Sequence, residues 1–225
     1  MTPDMMNAQG PARKARIAIL GEFSSGKSTL TNVLLGHVSS PVRVTATQVP
    51  PIWYCHGRGD PVVVSNGGAE SPVDGVEISS VPIEGTEYVR VPLPADILER
   101  VDLIDMPGSS DPNMSADIWQ GVLPQADAVI WCTPATQAWR QSEAAIWDEV
   151  EDEVRARSLL LVTRIDKVLS ERDRDRLMKR VRRETQGMFR DVLAADLLAA
   201  QEGREGSGMT AVRAALDAIL GASAD

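Results

Sequence analysis

The chain is 225 residues long, 43% hydrophobic and 24% charged, with a formal net charge of −9. That length suits one domain, or one with small additions, and the apolar content is enough for a sizeable core. The acidic balance leaves no global basic field, so no nucleic-acid partner is expected and a lipid surface is not favoured.

No apolar run approaches the length of about 18 residues that a membrane span requires, and residues 1–14 lack the apolar stretch of a signal peptide. These residues read as a short disordered lead-in, residues 222–225 as a tail, and the protein as cytoplasmic. Cys55 and Cys132 lie far apart in apolar stretches, which fits small core residues in a reducing compartment. His37 and His56 make no ligand cluster with them.

ARIAIL (15–20) is an apolar run that predicts a buried strand, and KSTLTNVLLG (27–36) predicts a helix. Between them stands GEFSSGKS, the pattern G-x-x-x-x-G-K-[S/T], with Gly21, Gly26, Lys27 and Ser28 at its fixed positions. A loop that wraps a phosphate must turn successive backbone N–H groups inward, which needs glycine where a Cβ would clash or φ is positive. The lysine then supplies a point charge to the β- and γ-phosphates, and the serine hydroxyl becomes a ligand of Mg2+. The anion sits at a helix N-terminus, where the dipole favours it. Glu22, Phe23, Ser24, Ser25 and Thr29 fall in the same stretch and are expected to line the nucleotide.

Residues 39–51 are loop-like. Short strands are expected at 52–56, 61–65, 76–81 and 87–93, joined by glycine and proline turns as hairpins or an antiparallel edge. Residues 97–105 end in an apolar strand; a helix is expected over 114–123 and a buried strand over 127–133. Apolar residues at 145, 146, 150 and 154 give 140–158 one helical face. Residues 158–166 read as a strand, and 170–187 as a charged, solvated helix with Leu177, Val181 and Met188 inward. A last strand is expected within 189–196, and an amphipathic helix over 209–220 with Ser207 near its cap. This alternation predicts an α/β fold with a mostly parallel central sheet and helices on both faces. Of the five tryptophans, Trp53 and Trp131 fit the core, while Trp119 and Trp139 are candidates for an interface.

A loop holding a triphosphate needs a second one for the metal and the γ-phosphate. DMPG (105–108) suits that role: Asp105 ends a strand where its carboxylate can reach Mg2+, and Gly108 leaves room for its N–H to approach the phosphate. TRID (163–166) suits the base. A carboxylate at Asp166 accepts from guanine N1–H and N2–H2, a pair that adenine does not offer. Thr163 opens that motif, and the stem and guanidinium of Arg164 can pack over the base.

In this order GEFSSGKS, DMPG and TRID resemble the motifs of the translation-factor-like GTPases. GEFSSGKSTLTNVLLG is similar to the phosphate loop of the dynamin superfamily, above all its bacterial members, and ADAVIWCTPATQAWRQSE (126–143) continues the likeness. The resemblance covers nearly the whole chain and implies a G domain over 15–221. It implies a P-loop NTPase fold with an antiparallel insertion after the first switch. It also implies binding and hydrolysis of GTP with Mg2+, and pairing of two G domains across the nucleotide.

Further roles follow only from that resemblance. Ser24 matches the serine that binds a monovalent cation, K+ or Na+. Phe23 stands where eukaryotic dynamins have a water-positioning glutamine, so that role is absent. The switch threonine that holds Mg2+ and the attacking water falls in VRVTATQVP, as Thr45 or else Thr47. A final guanine-supporting loop is suggested at Ala194, Ala195 and Asp196. Family members that remodel membranes have long helical bundles and a lipid-binding tip. This chain stops shortly after its last G-domain helix, so a standalone or truncated G domain is expected. Scission by the chain alone is not, and a protein partner would supply any membrane or stalk function. The alternative to a hydrolase is a GTP-binding switch with negligible turnover.

Overall fold

The structure is a computed structural model that describes residues 13–36, 49–73, 77–108 and 121–222. At its centre is β1 (Ala15–Leu20), followed by the loop GEFSSG and α1 (Lys27–Leu35). Then come β2 (Ile52–His56), β3 (Val62–Ser65), β4 (Glu70–Pro72), β5 (Thr86–Leu93), β6 (Val101–Asp105) and β7 (Ala128–Pro134). The remainder alternates: α2 (Gln141–Trp147), α3 (Asp152–Arg155), β8 (Leu159–Thr163), α4 (Glu171–Glu184), β9 (Asp191–Ala194), α5 (Leu197–Gln201) and α6 (Met209–Ala222).

Nine strands form one sheet in the order β4-β3-β5-β2-β6-β1-β7-β8-β9. From β6 through β9 every pairing is parallel, with Ile17 opposite both Leu103 and Ala128. Antiparallel pairing is confined to β2 with β6 and to the hairpin edge of β3, β4 and β5. The central strands are buried on both faces, which is why they read as continuous apolar runs. Side chains alternate between two cores. Ile17 and Ile19 face α1 and α6 through Leu30, Leu34, Val212 and Leu216. Ala18 and Leu20 face the other layer, built from Trp131, Trp147, Val150 and Val181. There Trp131 meets Trp147 edge-on at 5.7 Å, and Phe189 stacks on Trp147 at 4.2 Å.

Four expectations need correction. Residues 78–80 are a short helical turn, not a strand, because Ser80 Oγ donates to Glu77 O at 2.7 Å and Ser79 Oγ to the Glu77 carboxylate at 3.2 Å. Such local bonds offer the backbone an alternative to a ladder. Conversely, β4 lies where only a turn was expected. Its pairing follows from the hairpin closed by Ser65 N–H to Ala69 O at 3.0 Å, not from strand propensity in Glu-Ser-Pro.

The helix expected over 140–158 is two helices, broken at Glu151, whose backbone is extended. Asp152 and Glu153 in the first turn of α3 favour a new N-terminus there, since the dipole is positive at that end. The inward face of α2 is Glu143 and Trp147, while Ala145 is exposed. Finally, Trp139 is buried against Trp131 and Phe189 instead of forming a surface. The expected helix over 114–123 and Trp119 fall mainly or wholly outside the described residues.

Among the described residues, no helix is long and apolar enough to cross a membrane.

Candidate functional site

A cleft of about 270 Å3 opens beyond the carboxyl ends of β1 and β6, the usual place for a ligand in a sheet of this kind. One wall is the loop from Phe23 to Thr29, and the other is Asp105 to Gly108 with Arg164 at the rim. The loop leaves β1 through Gly21, whose φ of +139° puts a Cβ, were there one, 2.1 Å from Cys132 O. Only glycine lets the chain pass under β7 at that point. Ser24 (φ +57°) and Gly26 (φ +96°) then turn the backbone into a cradle that ends at the first residue of α1. The first turn of α1 holds no acidic side chain, so its positive end is left for an anion. Gly108 approaches the loop closely: a Cβ there would lie 2.9 Å from both N and Cα of Phe23.

Lys27 is buried, and its Nζ donates to Gly21 O at 3.0 Å and Glu22 O at 2.8 Å. Burial pushes its pKa down, while the Asp105 carboxylate nearby opposes that shift. Asp105 is pushed up to about 6 by burial, against the pull of Lys27 and of the Thr31 and Ser28 hydroxyls. Its Oδ1 is buried without a hydrogen-bond partner among the described residues. A carboxylate oxygen left unpaired beside a serine hydroxyl is a hard-oxygen set that fits Mg2+.

A carboxyl held at about 6 instead of its ordinary 3.8 binds protons more readily in the fold than in the unfolded chain. The stability this provides is present below about pH 4 and is lost as pH rises through 6. Without nucleotide or metal, Asp105→Asn is therefore expected to stabilise the protein at pH 7.5, by on the order of 2 kcal/mol, and to flatten this part of the profile. Urea titrations between pH 4 and 8 check this; a variant less stable than wild type at pH 7.5 would count against it.

The TRID segment is placed less directly. Thr163 is buried at the end of β8, and its hydroxyl donates to Ser25 O at 2.6 Å, tying the motif to the phosphate loop. Arg164 adopts φ +53° and reaches the cleft, whereas Asp166 does not line it and pairs with Lys167 at 3.3 Å. Ala195 is buried and stands beside β8 through its N–H to Val162 O at 2.9 Å; it does not line the cleft either. Asp196 caps α5, accepting from Ala199 N–H at 2.9 Å, and Leu197 lies next to Gly26. Thr45 and Thr47 lie outside the described residues.

Two cleft residues have no motif to announce them. Val49 and Ile52 line the cleft. Glu22, expected to line the nucleotide, does not line the cleft: its carboxylate instead accepts from Arg140 Nη1 at 3.0 Å and Ser142 Oγ at 2.8 Å. Those partners stand 118 and 120 residues further on, so no local spacing could reveal them.

No family model matches the chain. Among curated proteins, it is 24% identical over 168 residues to dynamin-like protein 2 of Campylobacter jejuni, covering 72% of this chain and 26% of that protein. It is 28% identical over 137 residues to the isoniazid-induced protein IniC of Mycobacterium tuberculosis, covering 53% of this chain and 27% of that one. The chain thus spans about a quarter of the length of these relatives. Among solved structures, an oligomerised bacterial dynamin pair superposes with a TM-score of 0.69 at 15% identity, over 94% of this chain and 40% of that one. Era of Aquifex aeolicus, bound to GDP and aluminium fluoride, does so with a TM-score of 0.53 at 18% identity, over 92% and 56%. At such identities the likeness establishes the fold.

Proposed function

We propose that this chain, whose fold is that of a dynamin-like GTPase G domain, binds GTP in the cleft of the phosphate loop and hydrolyses it to GDP and phosphate. The domain is taken as residues 15–221, acting in the cytoplasm. The observation that supports this most is the meeting of Lys27 and the unpartnered Asp105 Oδ1 in one cleft, at the N-terminus of a helix free of acidic first-turn residues. Relatives named as dynamin-like, and a neighbour captured with GDP and aluminium fluoride, point the same way.

In this reading water attacks the γ-phosphate in line. Lys27 faces the charge that develops on the phosphate oxygens, and the N–H of Gly108 approaches the same group. Ser28, Asp105 and the switch threonine, Thr45 or Thr47, would hold Mg2+, which neutralises further charge and orients the triphosphate. Asp166 and Arg164 select guanine, supported by Thr163 and Ala195. Ser24 would hold K+ or Na+ where a second G domain closes over the nucleotide, taking the place of an arginine finger. A partner carrying a membrane-binding or stalk segment would complete the machine. Turnover per molecule is expected to rise with protein concentration and with K+ or Na+, as measured by phosphate release. A rate flat in both would remove the dimer and the cation together.

A second reading has one specific observation behind it. Phe23, 59% exposed at the loop, has an apolar side chain that cannot orient a water, at the position where the dynamin resemblance puts a glutamine. A switch with negligible hydrolysis would use the same pocket, and it predicts tight nucleotide binding with very low kcat.

A further inference from the structure

We propose that Arg140 is a positioning residue for the phosphate loop, acting through Glu22. The proposal rests on the nucleotide reading of the cleft. Glu22 is held from two sides. Its main-chain carbonyl accepts from Lys27 Nζ at 2.8 Å and from Ser25 N–H at 3.2 Å. Its carboxylate is gripped by Arg140 Nη1 at 3.0 Å and Ser142 Oγ at 2.8 Å, both at the start of α2. Glu22 is thus fixed at both ends, by its carboxylate and by the carbonyl on which the Lys27 ammonium rests.

The other end of this latch is fixed with unusual redundancy. The Arg140 N–H donates to Glu143 Oε2 at 2.8 Å, and that fully buried carboxylate also accepts from Trp131 Nε1 at 2.8 Å and Thr133 Oγ1 at 3.0 Å. Trp139 sits in the left-handed region at φ +60°, a conformation that costs free energy for a side chain of its size. It is held there by its N–H to Thr133 Oγ1 at 3.0 Å, while Arg180 of α4 donates to Ala138 O at 3.1 Å. Strained backbone persists where its surroundings over-determine it. Here the surroundings aim one guanidinium at one loop carboxylate. The ion pair itself is asymmetric: the Glu22 side chain is 12% exposed and Arg140 43%. An arginine that does not line the cleft thus holds a loop carboxylate that does not line it either, linking α2 and α4 to the loop's shape.

The test is a binding cycle on the full chain with fluorescent GTP and ATP analogues and Mg2+. Arg140→Ala and Glu22→Ala are each expected to weaken GTP binding about threefold to fivefold, the scale of one partly exposed charge pair. The double variant should be no weaker than either single one, since both remove the same latch. Arg140→Lys should recover most of the affinity, and thermal midpoints should move little across the series. Additive losses would mean that Arg140 does not act through Glu22, and lowered midpoints with unchanged affinity in the folded variants that it only staples the fold; either would overturn the proposal. If wild type binds the ATP analogue and not the GTP one, the guanine assignment alone falls, and the latch stands or falls on the ATP series. Binding of neither overturns both.

Discussion

Lys27→Ala is expected to lower GTP turnover about 10^3-fold, the loss typical of removing one preorganised charge from a phosphoryl-transfer site. Lys27 is a buried cation lining the cleft, and burial strengthens its field at any phosphate held there. The same burial disfavours its charge in the folded protein, as the lowered pKa records, so its removal should disturb stability far less than activity. The Asp105 carboxylate it leaves behind can take up a proton. Phosphate release at saturating GTP, alongside a thermal melt, separates the two effects. Retention of more than a tenth of wild-type turnover would take the lysine out of the mechanism.

Asp166→Asn carries the second large expectation. A carboxylate accepts two hydrogen bonds from guanine, whereas an asparagine amide presents one donor and one acceptor, the pattern that xanthine matches. GTP affinity should fall about 10^2-fold, and xanthosine triphosphate should gain at least as much. The assignment makes a structural demand too. Asp166 pairs with Lys167 at 3.3 Å, so base binding must share or displace that ammonium. Competition titrations with GTP, xanthosine triphosphate and ATP check the inversion. An Asp166→Asn variant that still prefers GTP would remove Asp166 from base recognition.

The parts of this molecule visible in the sequence are those set by local chemistry. The apolar runs of β1, β7 and β8 announce strands buried on both faces, and GEFSSGKS announces the loop because glycine is required at Gly21. Val181 faces inward as its helical period says, and an antiparallel edge is present as expected, although its strand β4 lies in a stretch read as a turn. What local patterns missed depends on competition or distance. Helix 140–158 breaks because acidic residues favour a second N-terminus at Asp152, and residues 78–80 curl because two serines bond to Glu77. Trp139 looked like a surface residue from its place before a helix, yet the aromatic cluster draws it in. The Glu22–Arg140 latch joins residues far apart in the chain, and no spacing rule reaches that far.

The guanine assignment meets its most direct test in calorimetric titration of the wild-type chain with GTP and with ATP, each with Mg2+. It predicts saturable binding of GTP, with ATP at least about 10^2-fold weaker. Equal affinities, or tighter binding of ATP, would contradict it.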